Sequence, residues 1–201
     1  MPSSTISQSN RNAPRLRFTS KNGKQRVYYT STLIYDSLER KQKARDDGFE
    51  VNQRIYDLSY ANETNIHGKL VGKHLQRGKI YLVKTSIFNA DNHSQVVITS
   101  PIPSHCEIVN PTFDTEQKGL RLIPQKKHTR EYWWEEPDEH IEFRDDKMVV
   151  TRGYLRNGLH EYFYLIRPTQ RGVAYMPSAS SKKMYDPKVY GRSEGFDIQV
   201  K

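Results

Sequence analysis

The chain has 201 residues, 35% of them hydrophobic and 27% charged, which suits one globular domain with a single core and not a multi-domain assembly. No stretch approaches the roughly 20 apolar residues of a membrane-spanning helix, and the lone cysteine, Cys106, excludes an internal disulfide. A formal net charge of +9 favours acidic partners, but the basic stretches at 15–26, 40–45 and 125–130 lie apart and are broken by acids such as Glu39, Asp46 and Asp47, so they read as solvated faces.

Residues 1–12, rich in Ser, Asn and Gln, read as a disordered tail and not as an export signal, which leaves 13–201 as the domain. From there the dominant period is two. In residues 27–35 Val27, Tyr29, Leu33 and Tyr35 alternate with Tyr28, Thr30 and Ile34, the β-branched and aromatic content of a half-buried strand. Residues 36–47 alone have helical spacing, with Leu38, Lys41, Gln42 and Arg45. One strong apolar residue does not bury a helix, so a polar turn or loop is expected. Further strands are expected at 49–58, 66–71, 79–90, 95–99, 140–144, 148–152, 159–167, 173–176 and 196–200. Arg144-Asp145-Asp146-Lys147 reads as a tight hairpin, and Asn157-Gly158 tolerates positive φ. The segment 110–127, with Pro111, Gly119 and Pro124, reads as a long irregular connection. The whole is an all-β antiparallel sandwich of fibronectin or immunoglobulin type.

Candidate chemistry is sparse. Seven histidines show no paired metal-ligand spacing, so no metal or other cofactor is expected. No Gly-x-Ser-x-Gly elbow or Gly-rich phosphate loop is present, and Cys106 follows Pro101-Ile102-Pro103 at a strand entry, as a buried structural cysteine would. The carboxylates around Trp133 and Trp134 read as an acidic surface loop, so no catalytic residue is assigned. The 13 tyrosines follow from strand propensity, and nucleic acid is not the expected partner.

The most informative run is Met184-Tyr185-Asp186-Pro187-Lys188-Val189-Tyr190-Gly191-Arg192. Pro187 fixes its own φ and extends Asp186, and Gly191 permits an unusual turn, so the loop displays Met184 and Tyr185. With the strand at 196–200, this run resembles the C-terminal signature of the bacterial α2-macroglobulin family of protease-trapping inhibitors. Upstream matches run in order over residues 25–201: Gln25-Arg26-Val27-Tyr28-Tyr29, Gly48-Phe49-Glu50-Val51 with Arg54 and Tyr56, Glu107-Ile108-Val109-Asn110-Pro111, Glu139-His140 with Arg144-Asp145-Asp146, and Tyr162, Tyr164, Arg167, Pro168 and Gly172.

The resemblance implies a C-terminal macroglobulin-like β-sandwich lying beside a thioester domain. Met184 and Tyr185 would shield the thioester from water, while Asp186, Pro187, Gly191 and Arg192 set the loop's shape. The alternative at these positions is that Met184 and Tyr185 plug the edge of their own sandwich. No Cys-Gly-Glu-Gln type motif is present, so this chain alone would not trap a protease covalently. The expected partner is a thioester domain of the same or an adjacent chain, with proteases met indirectly. The chain would then be a fragment of a larger trap, one product of a split gene, or a free docking domain. The family's location is the periplasm, and without an export signal the chain translated alone would remain cytoplasmic. The alternative function is an autonomous basic β-sandwich that binds nucleic acid or an anionic partner surface.

Overall fold

A computed structural model describes residues 4–7, 15–18, 28, 30, 41–61, 68–109 and 139–201. The chain divides into two compact units, Met1–Leu38 and Glu39–Lys201. In the first, β1 (Ser4–Ser7) pairs antiparallel with β2 (Arg15–Phe18), Ser4 opposite Phe18. Of the strand expected at 27–35 only Tyr28 and Thr30 are described, and neither is in a strand.

Among its described residues the second unit holds three sheets. The six-stranded sheet runs β10 (Glu139–Phe143), β11 (Lys147–Leu155), β8 (His93–Pro101), β14 (Ser180–Lys183), β15 (Tyr190–Arg192) and β3 (Arg45–Asp47). The five-stranded sheet runs β5 (Lys69–Val71), β4 (Glu50–Asp57), β7 (Tyr81–Asn89), β12 (Gly158–Pro168) and β9 (Cys106–Val109). A three-stranded sheet of β13 (Gly172–Met176), β16 (Phe196–Val200) and β6 (His74–Leu75) completes it, with β16 and β6 parallel. The other named ladders are antiparallel, as the period-two pattern requires.

One apolar cluster joins the sheets. Val51, Ile55, Val83, Ile87, Tyr164 and Ile166 on the five-stranded sheet meet Val96, Ile98, Met148 and Val150 on the six-stranded one, and Leu75, Met176, Ile198 and Val200 of the small sheet join them. Burying one such side chain contributes about 1.5–3 kcal/mol. Inside this cluster sits a polar clamp between the sheets. Gln53 Nε2 donates to Ser100 Oγ at 2.8 Å, Ser100 Oγ lies 2.8 Å from Thr85 Oγ1, and Tyr164 OH donates to the Pro101 carbonyl at 3.1 Å. Buried hydroxyls need such partners, and this set also fixes which strands face each other.

Turn chemistry behaves in two ways. The Arg144–Lys147 hairpin forms as expected, Arg144 N–H donating to the Lys147 carbonyl at 2.9 Å. Gly158 has φ of 124° as expected, but it joins β11 to β12, which belong to different sheets, so it makes a corner and not a hairpin. The β7–β8 link makes a second corner beside it. Asn89, buried, donates through Nδ2 to the carbonyls of Asp91 at 2.7 Å and Arg156 at 2.8 Å, which ties the two corners together.

Residues 41–47 give no helical turn. Residues 45–47 form edge strand β3 against β15, because Asp46 and Gly191 come opposite each other in a ladder that helical spacing does not reveal. The Trp133 and Trp134 loop and the connection at 110–127 lie outside the described residues.

Candidate functional site

The Met184 to Val189 loop joins β14 to β15, so it is the tip of a hairpin in the six-stranded sheet. Its neck is closed by Lys183 N–H donating to the Val189 carbonyl at 3.1 Å. Within it, Val189 N–H donates to the Asp186 carbonyl at 3.1 Å, a four-residue turn with Pro187 second, where a fixed φ near −65° is wanted. Tyr185 is 84% exposed and Met184 41% exposed. Both side chains reach solvent, Tyr185 far more than Met184.

The base of the loop is held from the neighbouring strand. Gln95 has φ of 54°, in the left-handed region, and its carbonyl accepts the Met184 N–H at 2.8 Å. A single residue out of the β region reverses the alternation of its strand. Val96, Ile98 and Ser100 therefore face the core, as does His93 on the far side of Gln95, its ring 4.8 Å edge-on from Phe49. The opposite residues follow suit, so Leu155 is buried while Tyr154 turns out, 45% exposed. Burial, with the Lys183 ammonium nearby, pushes the His93 imidazole below its ordinary pKa, partly offset by Asp91.

Gly191 is not in a turn. It lies in β15, where a Cβ would run into the Phe49 carbonyl and the Phe49 side chain, so its role is close approach between β15 and the start of β4. Gly48 next door has φ of 112° and would place a Cβ 3.0 Å from Val189 Cγ1. Arg192 points away from the loop and donates through Nε to the Lys43 carbonyl at 2.9 Å, holding down the segment before β3. Asp186 Oδ2 stands 4.0 Å from Lys183 Nζ, a distance that contributes little in solvent. The sequence thus points to the displayed residues and misses their supports: Gln95, Phe49, Gly48 and His93.

Cys106 lies in the core, and burial pushes its thiol up to about 12, which makes it inert at neutral pH. Among the described residues no three of His, Cys, Asp and Glu come together to hold a metal ion.

The sandwich with its displayed hairpin is a macroglobulin-type domain. The chain belongs to the family described as the bacterial alpha-2-macroglobulin MG10 domain, whose model matches residues 48–188. The match takes in Met184, Tyr185, Asp186 and Pro187 and stops short of Gly191 and Arg192. Salmonella alpha-2-macroglobulin reacted with methylamine has the same fold, with a TM-score of 0.61 and 16% identity over 81% of this chain and 10% of that one. Escherichia coli alpha-2-macroglobulin activated by porcine elastase gives a TM-score of 0.62 and 18% identity over 80% of this chain and 14% of that one. A curated relative, "Circularly permutated Ras protein 2" of Dictyostelium discoideum, is 21% identical over 182 residues, 90% of this chain and 4% of that protein. The chain spans a small share of each of these relatives.

Proposed function

We propose that this chain serves as the C-terminal macroglobulin domain of a protease-trapping inhibitor, docking beside a thioester domain carried elsewhere in the same chain or on an adjacent one. Met184 and Tyr185 cover the thioester in the resting state, and the periplasm is the compartment in which this takes place. The observation that carries the reading is the display of these two large side chains on a loop whose neck and base are fixed by backbone hydrogen bonds. A reactive acyl group persists only where water is kept out. A thioether and a phenol ring supply an apolar cover, and the phenol hydroxyl still finds a polar partner at the rim. The fixed neck lowers the ordering cost of docking. Asp186 and Pro187 shape the tip; Gly191 and Arg192 act further back, by seating β15 on Phe49 and on the Lys43 carbonyl.

The test uses a polypeptide or complex that contains both this domain and the thioester. Met184→Ala with Tyr185→Ala should raise the rate of methylamine incorporation several-fold, while Lys188→Ala, on the same loop, leaves it unchanged. An unaltered rate in the double variant sinks the shielding role. The rival reading, an autonomous basic binding module, predicts instead an anionic ligand whose affinity falls steeply with salt and ignores Met184 and Tyr185.

A further inference from the structure

At the far end of β4 and β7 from the Met184 loop lies a border where cations and exposed apolar side chains alternate. Glu50 pairs with Phe88 at the loop end of these strands, and Asp57 pairs with Tyr81 at the border end. Three further segments, at 73–78, 168–172 and 199–201, meet there, tied by backbone hydrogen bonds. Arg77 N–H donates to the Lys201 carbonyl at 2.9 Å, Lys201 N–H to Leu75 at 3.0 Å, Gln199 N–H to Lys73 at 2.6 Å and Gly78 N–H to Pro168 at 2.8 Å. Gly172, following Arg171, sits opposite Val200. Lys73, Arg77, Arg171 and Lys201 are thereby gathered on one border, all exposed. Beside them Lys79 Nζ pairs with Asp57 Oδ2 at 2.7 Å and Arg167 Nη1 with Glu107 Oε1 at 3.4 Å, and among the described residues no ion pair takes in the side chains of Lys73, Arg77, Arg171 or Lys201.

Apolar side chains stand among them. Val173 is 59% exposed and shares a cross-strand row with Gln199 and His74 on the outer face of the small sheet. Leu70 on β5 is 52% exposed, and Tyr60 is 57% exposed with Lys69 Nζ 5.4 Å above its ring. Isolated exposed apolar residues are ordinary, but three set among exposed cations on a tied backbone form a specific chemistry. Charges attract an anionic surface over the Debye length, and the apolar side chains then leave water only if that surface has a hydrocarbon layer beneath its anions. A soluble polyanion rewards the cations alone, and single strands want open stacking platforms, whereas Tyr60 here already lies under a lysine.

We propose that this border is a docking surface for an anionic lipid bilayer, with Lys73, Arg77, Arg171 and Lys201 at the headgroups and Leu70, Val173 and Tyr60 in the interface. The mode is peripheral and rests on none of the thioester chemistry. Such a surface would orient the domain with the Met184 loop pointing away from the membrane.

The experiment is co-sedimentation of the 201-residue chain with vesicles of phosphatidylcholine alone or with about a third phosphatidylserine, at low and physiological salt. Partitioning into the anionic vesicles and not the neutral ones is expected. Lys73→Gln with Arg77→Gln and Arg171→Gln should lower it on the order of a hundredfold, about fivefold per charge. Leu70→Ser with Val173→Ser should lower vesicle binding several-fold and leave unchanged any retention on a single-stranded oligonucleotide. Absence of partitioning into anionic vesicles at low salt overturns the proposal. So does vesicle binding that is indifferent to Leu70→Ser with Val173→Ser, which would make the border a site for a soluble polyanion.

Discussion

The two ends of the sandwich expose apolar side chains on opposite terms. At one end Met184 and Tyr185 project from a hairpin whose base is fixed by Gln95, Phe49 and Gly48. At the other, Leu70, Val173 and Tyr60 lie flat among lysines and arginines on a border tied by carbonyls. The first arrangement would suit a partner with a shaped, dry recess that the projecting side chains could enter from a fixed base. The second would suit a broad surface, because charge is spread over several segments of the chain. One domain carries both kinds because a sandwich has two ends and its core asks nothing of either.

The largest expected effect comes from attacking the base of the hairpin. Gly191→Ala places a methyl against the Phe49 carbonyl and side chain, so β15 must move off β4. It should cost about 3 kcal/mol of stability in urea unfolding. At the basic border the corresponding Gly72→Ala meets nothing within 4 Å and should stay within about 0.5 kcal/mol of the parent. If both substitutions cost the same, the contrast between a packed base and a tied border fails.

The second effect separates the ends by pH. Burial raises the Asp57 carboxyl, but the Lys79 ammonium and the Ser59 N–H and hydroxyl outweigh it, so the group sits below its ordinary range. Its stabilisation is present above the unfolded value near 3.9 and is lost as pH falls through the lower folded one. Lys79 is raised chiefly by its hydrogen bond to Asp57, so its share is lost as pH climbs through a folded value above about 10.4. At the loop end His93 is lowered by burial, so the native state resists its proton and stability falls as pH drops below about 6.5. Asp57→Asn should cost about 1–2 kcal/mol at neutral pH and flatten the limb below about pH 4. His93→Leu should flatten the limb that begins below about pH 6.5 and leave the carboxylate limb intact. Thermal unfolding across pH reads both, and exchange of the two signatures would reverse the assignment.

The smallest effect is at the tip. Pro187→Ala frees the turn and should cost about 0.4–1 kcal/mol, because the unfolded chain gains conformations that proline denies it. In a thioester-bearing context the same variant should weaken shielding less than loss of Met184 and Tyr185 does. An equal loss would move the role from the displayed side chains to the loop's shape.

The loop was legible in the sequence because its parts are neighbours: Pro187 sets the turn and Met184 and Tyr185 sit beside it. Gly191 looked like part of the same turn, and only the fold shows that its missing Cβ makes room for Phe49, 142 positions away in sequence. The basic border was not legible at all. Lys73 and Arg77 come from one segment, Arg171 from a turn nearly 100 residues on and Lys201 from the end of β16, so no run of charge announces them. The charge stretches that the sequence does display are not the ones the described fold brings together here.

The strands β4, β7, β8, β11 and β12 were readable from alternation, because each is long enough to show period two and has one face that must be buried. Strands β3, β14 and β15 span three or four residues, too few for a period, and exist because neighbouring strands offer them unpaired backbone. Local sequence therefore determined the all-β class, the tight Arg144–Lys147 hairpin and the displayed Met184 and Tyr185. Tertiary structure alone decided that Gly158 turns a corner between sheets, that Gln95 reverses its strand, and that distant cations share one border. Those outcomes depend on which strands become neighbours, and pairing is settled by burial of the whole core and not by any one segment.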